Sequence, residues 1–252
     1  MNIALTYAAG SDVGRHRENN EDSAYAGAHL LAVADGMGGY AGGEVASSTV
    51  IGVLRSFDAE VPAGDLQRVL GDAVAQAHAE LVRIVDEHPE LGRMGTTLTA
   101  MLWSGAQMAL AHIGDSRCYL LRGGELAQLT ADHTMDRLLG DGGDVPQLSH
   151  VLFRVLDGRQ DRVPDLTVRT GEPGDRYLLC SDGLTDAIDD AAIRDVLGSA
   201  DTAADAVRRL IDLANEAGGP DNVTCVIADV VEASAPPPAN PITVGAAHSP
   251  PQ

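Results

Sequence analysis

Residues 96–126, TTLTAMLWSGAQMALAHIGDSRCYLLRGGEL, decide the fold. Three strand-like runs, TTLTAMLW, AQMALAHI and RCYLLRG, follow one another at short intervals with Ser104-Gly105 and Gly114-Asp115 between them, and Gly123-Gly124 closes a further turn before ELAQLT. Spacing this short has no room for a crossover helix and predicts antiparallel pairing. Outward from this segment, IALTYA and LLAVA lie upstream, and DLTVR, RYLLCS and NVTCVIADVV lie downstream, separated by long helical or loop segments. Apolar residues recur at threes and fours in Val50, Val53, Leu54 and Phe57, and again from Leu66 through Leu70, Val74 and Leu81 to Val85. A third stripe, Ala203, Val207, Leu210, Ile211 and Ala214, stops at Gly218-Gly219, and a shorter one from Ala191 to Leu197 stops at Gly198. Helices with one apolar face combined with antiparallel strands predict a layered α+β arrangement rather than a doubly wound parallel sheet. The strands stack centrally and helix pairs lie outside.

At 252 residues the chain is read as one domain over residues 1–231, followed by a Pro/Ala-rich tail, 232–252, expected to be disordered. A core of this size needs no disulfide staples. Cys118, Cys180 and Cys225 form an odd count without CxxC spacing, which reads as buried free thiols in a reducing compartment. No signal-peptide pattern and no apolar run of about 20 residues occurs, so a cytoplasmic chain with no membrane span is expected. The formal net charge of −20 disfavours nucleic acid and anionic membrane as partners.

Four Asp-centred segments stand where apolar runs meet turns: LLAVADGMGG, AHIGDSR, YLLCSDGL and GGPDNVTCVIADV. Asp35, Asp115, Asp182 and Asp221, if brought together, would repel one another strongly unless a cation lay between them. An all-carboxylate donor set without His or Cys fits a hard ion, Mg²⁺ or Mn²⁺, better than zinc. Gly36 directly after Asp35 lets the backbone carbonyl join such a shell. The earlier stretch RHRENNED adds Arg17, Glu21 and Asp22.

Seven motifs in order, SDVGRHRENNEDS, LLAVADGMGGYAGGEVAS, MGTTLTA, AHIGDSRCYLLRGGEL, LTADHT, YLLCSDGLTD and GGPDNVTCVI, resemble the type 2C metal-dependent serine/threonine protein phosphatases, small bacterial type, over about residues 8–230. The resemblance implies a four-layer α-β-β-α sandwich, with two central, mostly antiparallel sheets flanked by helix pairs. It also implies that Asp35 bridges two ions, that Gly36 contributes its carbonyl, and that Asp182 and Asp221 complete the first ion's shell. Glu21 and Asp22 would hold metal-bound waters, and Asp115 with Asp182 would bind a third, weaker ion. Arg17 would bind the phosphate, its planar fork suiting phosphoryl oxygens. The reaction implied is hydrolysis of phosphoserine and phosphothreonine on proteins by a water bridging two ions, attacking phosphorus in line without a phosphoenzyme. Phosphorylated proteins, among them a Ser/Thr kinase and its substrates, are the partners expected of a monomeric enzyme.

Two departures from the pattern stand out. Met37 occupies a position where some relatives carry a His proposed as the general acid, leaving His133 and His112 as the nearest candidates in sequence. The flap, about 134–161, reads short, and its Arg154 and Arg159, together with Arg162, place cations in an acidic chain. The rival reading is a weakly active or inactive relative that binds phosphoproteins or a regulatory partner, against which the intact aspartates argue. A nucleotide-binding loop in ADGMGGYAGGE lacks the following Gly-Lys-Ser/Thr. A metal-dependent nuclease would need a basic surface.

Overall fold

The computed structural model of the chain describes residues 3–38, 42–139, 148, 151–159, 163–233 and 240–248. Its strands in chain order are β1 (Ile3–Asp12), β2 (Ser23–Ala26), β3 (Leu30–Ala34), β4 (Gly36–Met37), β5 (Gly95–Thr96), β6 (Leu98–Ser104) and β7 (Gln107–Ile113). They continue with β8 (Arg117–Arg122), β9 (Glu125–Gln128), β10 (Asp165–Thr170), β11 (Arg176–Cys180), β12 (Val223–Glu232) and β13 (Ile242–Gly245). The helices are α1 (Gly42–Leu54), α2 (Leu66–Glu87), α3 (Met135–Leu139), α4 (Asp182–Thr185), α5 (Asp190–Ser199) and α6 (Ala203–Glu216).

One sheet has the order β1-β12-β11-β8-β9 and the other β10-β7-β6-β3-β2-β13, with β4 and β5 forming a small ribbon. All strand pairs in the three are antiparallel. The period-two alternation of side chains explains why the central strands are apolar without a break. In β3, Leu31 and Val33 face the other sheet, whereas Leu30, Ala32 and Ala34 face α1 and α2. Three apolar layers result. Val50, Leu54, Leu70, Val74 and Leu81 of α1 and α2 cover one sheet. Trp103 and Tyr177 meet edge to face between the sheets, ring centroids 5.4 Å apart. Ile193, Val196, Val207 and Leu210 of α5 and α6 cover the second sheet. This is the α-β-β-α sandwich the sequence predicts. Among the described residues no helix is long and apolar enough to cross a membrane.

Three details differ from the sequence reading. The runs before and after Gly114-Asp115 do not pair. β7 belongs to one sheet and β8 to the other, so this turn carries the chain across the sandwich, whereas Ser104-Gly105 and Gly123-Gly124 do close hairpins. Gly198 does not end α5, which continues to Ser199. The tail, expected to be disordered, includes β13, paired with β2 from Ile242↔Ala26 to Gly245↔Ser23. The Pro/Ala-rich composition conceals an apolar alternation, since Ile242 and Val244 pack against the core between the sheets. The remainder of that tail beyond Ala233, residues 234–239 and 249–252, lies outside the described residues.

Candidate metal centre

The ends of both sheets converge at one edge of the sandwich. Asp35 follows β3, Glu21 and Asp22 precede β2, Asp115 lies in the crossing between sheets, Asp182 follows β11, and Asp221 precedes β12. Arg17, Glu21, Asp35, Gly36, Asp115, Asp182 and Asp221 line a single cleft of about 530 Å³. Seven of the eight site residues expected from sequence therefore meet there. Asp22 does not line it. Its carboxylate is buried directly behind, accepting a hydrogen bond from Ser181 Oγ at 2.7 Å.

Backbone contacts set these positions. The Asp35 N–H donates to Thr97 Oγ1 (3.0 Å), and Thr96 Oγ1 donates to the Asp35 carbonyl (2.8 Å). A Cβ on Gly36 would come within 2.3 Å of the Gly43 carbonyl oxygen and 2.4 Å of that of Glu21, so only glycine permits this approach of α1 to the loop. Asn222, which sequence reasoning misses, ties the β1–β2 loop to the start of β12 at three points. Its Oδ1 accepts the Glu21 N–H (2.8 Å), and its Nδ2 donates to the carbonyls of Val13 (2.9 Å) and Asn19 (3.0 Å). Thr97 and Asn222 both line the cleft. Thr97 is flagged by its place in the MGTTLTA motif, whereas Asn222 has partners about 200 residues away and carries no local signal.

The charges are unbalanced. Burial, reinforced by Asp22 and Asp182, holds the Asp35 carboxyl well above its usual range, and Asp182 lies within hydrogen-bond contact of it. Burial pushes Asp22 up to about 7, aided by Asp182 and Asp221 against hydrogen bonds from Ser181 and Thr224. Burial and then Asp182 push Asp115 up to about 7 as well. Glu21 is raised chiefly by burial, with Arg17 opposing. Arg17 Nη2 is 2.5 Å from Asp221 Oδ2 at the half-exposed mouth. Carboxylates in such contact ionise together only with a cation among them. The donors are all oxygens, which fits a hard divalent ion. Among the described residues, no three His, Cys, Asp or Glu side chains form a ready-made cage around one point.

Neither histidine candidate for the general acid lines the cleft. His133 Nδ1 accepts the Gly114 N–H (3.0 Å), which places the neutral ring's proton on Nε2, facing Asp165 Oδ2 at 3.1 Å. His112 Nε2 faces the Ala131 carbonyl at 3.1 Å, and burial pushes this imidazole down to about 4, the neighbouring His133 adding to the shift. Both are structural. From the flap, Val151, Leu152 and Val155 form an apolar wall of the cleft. Arg154 turns away and pairs with Asp165 at 2.7 Å, while Arg159 is exposed outside the cleft lining. Arg162 lies outside the described residues.

The family model described as Protein phosphatase 2C matches residues 10–147. The serine/threonine phosphatase stp of Listeria innocua is 32% identical over 235 residues, covering 87% of this chain and 93% of that protein. The chain belongs to the protein phosphatase 2C family. Its match to the serine/threonine protein phosphatase PstP of Mycobacterium tuberculosis is 49% identical over 239 residues, 92% of this chain. The chain spans only about half of that relative, 46% of its length. Among solved structures, the catalytic domain of PstP in complex with two manganese ions superposes with a TM-score of 0.86 at 51% identity, covering 91% of this chain and 99% of that one. In this protein phosphatase 2C chain the cleft edge of the sandwich is therefore the place to seek activity.

Proposed function

We propose that this chain hydrolyses phosphoserine and phosphothreonine esters on proteins, using two divalent ions held at the cleft, Mn²⁺ or Mg²⁺. The observation carrying this reading is the convergence of Asp35, Asp115, Asp182 and Asp221 from both sheets into one cleft with Arg17 at its mouth. Asp35, with the Gly36 carbonyl beside it, would serve both ions, and Asp182 and Asp221 would hold the first. Glu21 orients water from the rim, while buried Asp22 acts from behind through Ser181. Such a pair of ions, when bound, acidifies water to a nucleophile and neutralises charge on the phosphoryl oxygens. Arg17 releases Asp221 and presents its guanidinium to the phosphate. Asp35 keeps its position through Thr96 and Thr97, and the flap's Val151, Leu152 and Val155 exclude water from one side of the bound ester. Asp115 and Asp182 also line an adjoining cavity of about 200 Å³ with Asp136 and Asp186, where a third, weaker ion would sit; Asp132 on its wall is already neutralised by Arg117 (2.8 Å) and Arg137 (3.7 Å).

The finer reading is a cytoplasmic, monomeric enzyme that reverses Ser/Thr kinase signalling, its catalytic unit spanning residues 1–231 with the flap at about 134–161. Three buried free thiols support a reducing compartment. The two manganese ions bound by the PstP catalytic domain support the two-ion assignment. A binding-only relative would have no use for the full set of carboxylates, so catalysis is the better reading. The test is hydrolysis of a phosphothreonine peptide with and without Mn²⁺, alongside Asp182→Asn. Turnover that requires Mn²⁺ and falls about a thousandfold in the variant is expected, a loss of about 4 kcal/mol of transition-state stabilisation. Turnover in excess chelator would refute it.

A further inference from the structure

We propose that residues 240–248 form a strap that positions the Glu21–Asp22 backbone and so sets the affinity of the metal centre. This rests on the reading of the cleft as a two-ion site and adds a control over it. β13 covers the open edge of β2, and the short turn after it, Ala246–His248, reaches α1. Ile242 and Val244 pack into the core between the sheets, and Ala247 packs against the core under α1, so the strap is seated on both sides of its turn. Tyr7 Oη donates to the Asn240 carbonyl at 3.4 Å where the strap begins.

The strap delivers two N–H groups to the site. The Ala246 N–H donates directly to the Asp22 carbonyl at 2.7 Å. The Ala247 N–H donates to Ser23 Oγ (3.1 Å), which lies 2.9 Å from Ser47 Oγ, and Ser47 Oγ in turn donates to the Glu21 carbonyl (2.5 Å). Because the Ser47 proton is committed to Glu21, Ser23 must be the donor to Ser47. The relay therefore runs one way, from the strap through two fully buried serines to the backbone of Glu21. The successive carbonyls of Glu21, which lines the cleft, and Asp22, buried behind it, are thus held by the same segment. Gly245 makes the seat possible. It has φ +73°, and a Cβ there would lie 2.1 Å from the Asp22 carbonyl oxygen. Partners one shell removed from a metal tune its affinity by about 10- to 100-fold when lost.

The test compares the full chain with a truncation after Ala233 and with Gly245→Val, which keeps the length and lifts the strap. Mn²⁺ binding is measured by calorimetry, with circular dichroism as the check on folding and phosphopeptide turnover at saturating Mn²⁺ as a second readout. The expected result is Mn²⁺ affinity about tenfold weaker in both variants, kcat at saturating Mn²⁺ within about twofold, and recovery of affinity when a peptide of residues 240–248 is added to the truncated chain. Folded variants with Mn²⁺ affinity within about twofold of the full chain would overturn the proposal. So would failure of both variants to fold, which would make the segment a general part of the core. Asp182→Asn separates the two readings: if it binds Mn²⁺ as the full chain does, the metal-centre assignment itself falls, whatever the strap does.

Discussion

Arg17 and Asp221 illustrate how a single residue pair sets the sign of an effect. The guanidinium lies on the carboxylate that a cation would need, so under the proposed function arginine and metal would compete for Asp221 until a phosphate drew the arginine away. Arg17→Ala is therefore expected to raise KM for a phosphopeptide about tenfold, the value of one charge-assisted contact at a half-exposed site, while leaving Mn²⁺ affinity equal or tighter. Steady-state kinetics with a parallel Mn²⁺ titration check both signs, and weaker Mn²⁺ binding would contradict the competition. Asn222 acts differently, through three backbone groups of the β1–β2 loop, which it holds to the start of β12. Asn222→Ala should lower stability by about 2 kcal/mol, seen as a fall in Tm of about 4–8 °C in a chelated sample. The aspartates are legible in sequence because each ends or opens an apolar run beside a turn. Asn222 is not, because a side chain whose partners are backbone carbonyls about 200 residues away leaves no local pattern.

At the level of elements, the flap and the crossing between sheets are linked. His133 accepts the N–H of Gly114, next to Asp115, while its other nitrogen and Arg154 share Asp165 on β10. The Phe153 N–H donates to the His133 carbonyl (3.0 Å), and Thr134 and Thr96 form bridges to Leu152 and Leu156. The apolar wall is thus pinned at several points, one of them an ion pair. Arg154→Ala should loosen that wall, raising KM for a phosphopeptide several-fold, with p-nitrophenyl phosphate, too small to use the wall fully, affected less. Equal effects on both substrates would contradict a role for the flap in holding the peptide. The hairpin β6–β7 is readable from TTLTAMLW and AQMALAHI, since two strands joined at Ser104-Gly105 can hardly do otherwise. β2 is not, because SAYA is a short run, all four residues buried, with no alternation to read. The crossing at Gly114 reads as a hairpin because spacing reports turn length and not which sheet receives the next strand.

For the whole molecule, four layers converge to hold like charges together, and stability must register this. Asp22 and Asp115 have folded-state values near 7, raised above the usual value of 3.8. A raised carboxyl contributes stability that is complete below the unfolded value and is lost as pH climbs through the folded one. Asp22 and Asp115, together with Asp35 and Glu21, also raised, outweigh His112, whose fall to about 4 acts the other way. The folded, metal-free chain therefore binds more protons than the unfolded chain between about pH 4 and 7, and its stability declines across that window. With saturating Mn²⁺ the sign reverses, because ligands must be deprotonated to bind. Thermal melts from pH 5 to 7.5 in chelator should show Tm falling with pH, and in Mn²⁺ rising. A rising Tm in chelator would mean that these carboxylates are not strained together.

The most direct test of the two-ion centre is a count of bound ions. Mn²⁺ titrated into the full chain at neutral pH, with free ion followed by its paramagnetic resonance signal, should show two strong sites, and on the proposal that Asp35 is shared between them Asp35→Asn should lose both. One site or none in the full chain, or two sites surviving in Asp35→Asn, would contradict a centre built around that aspartate.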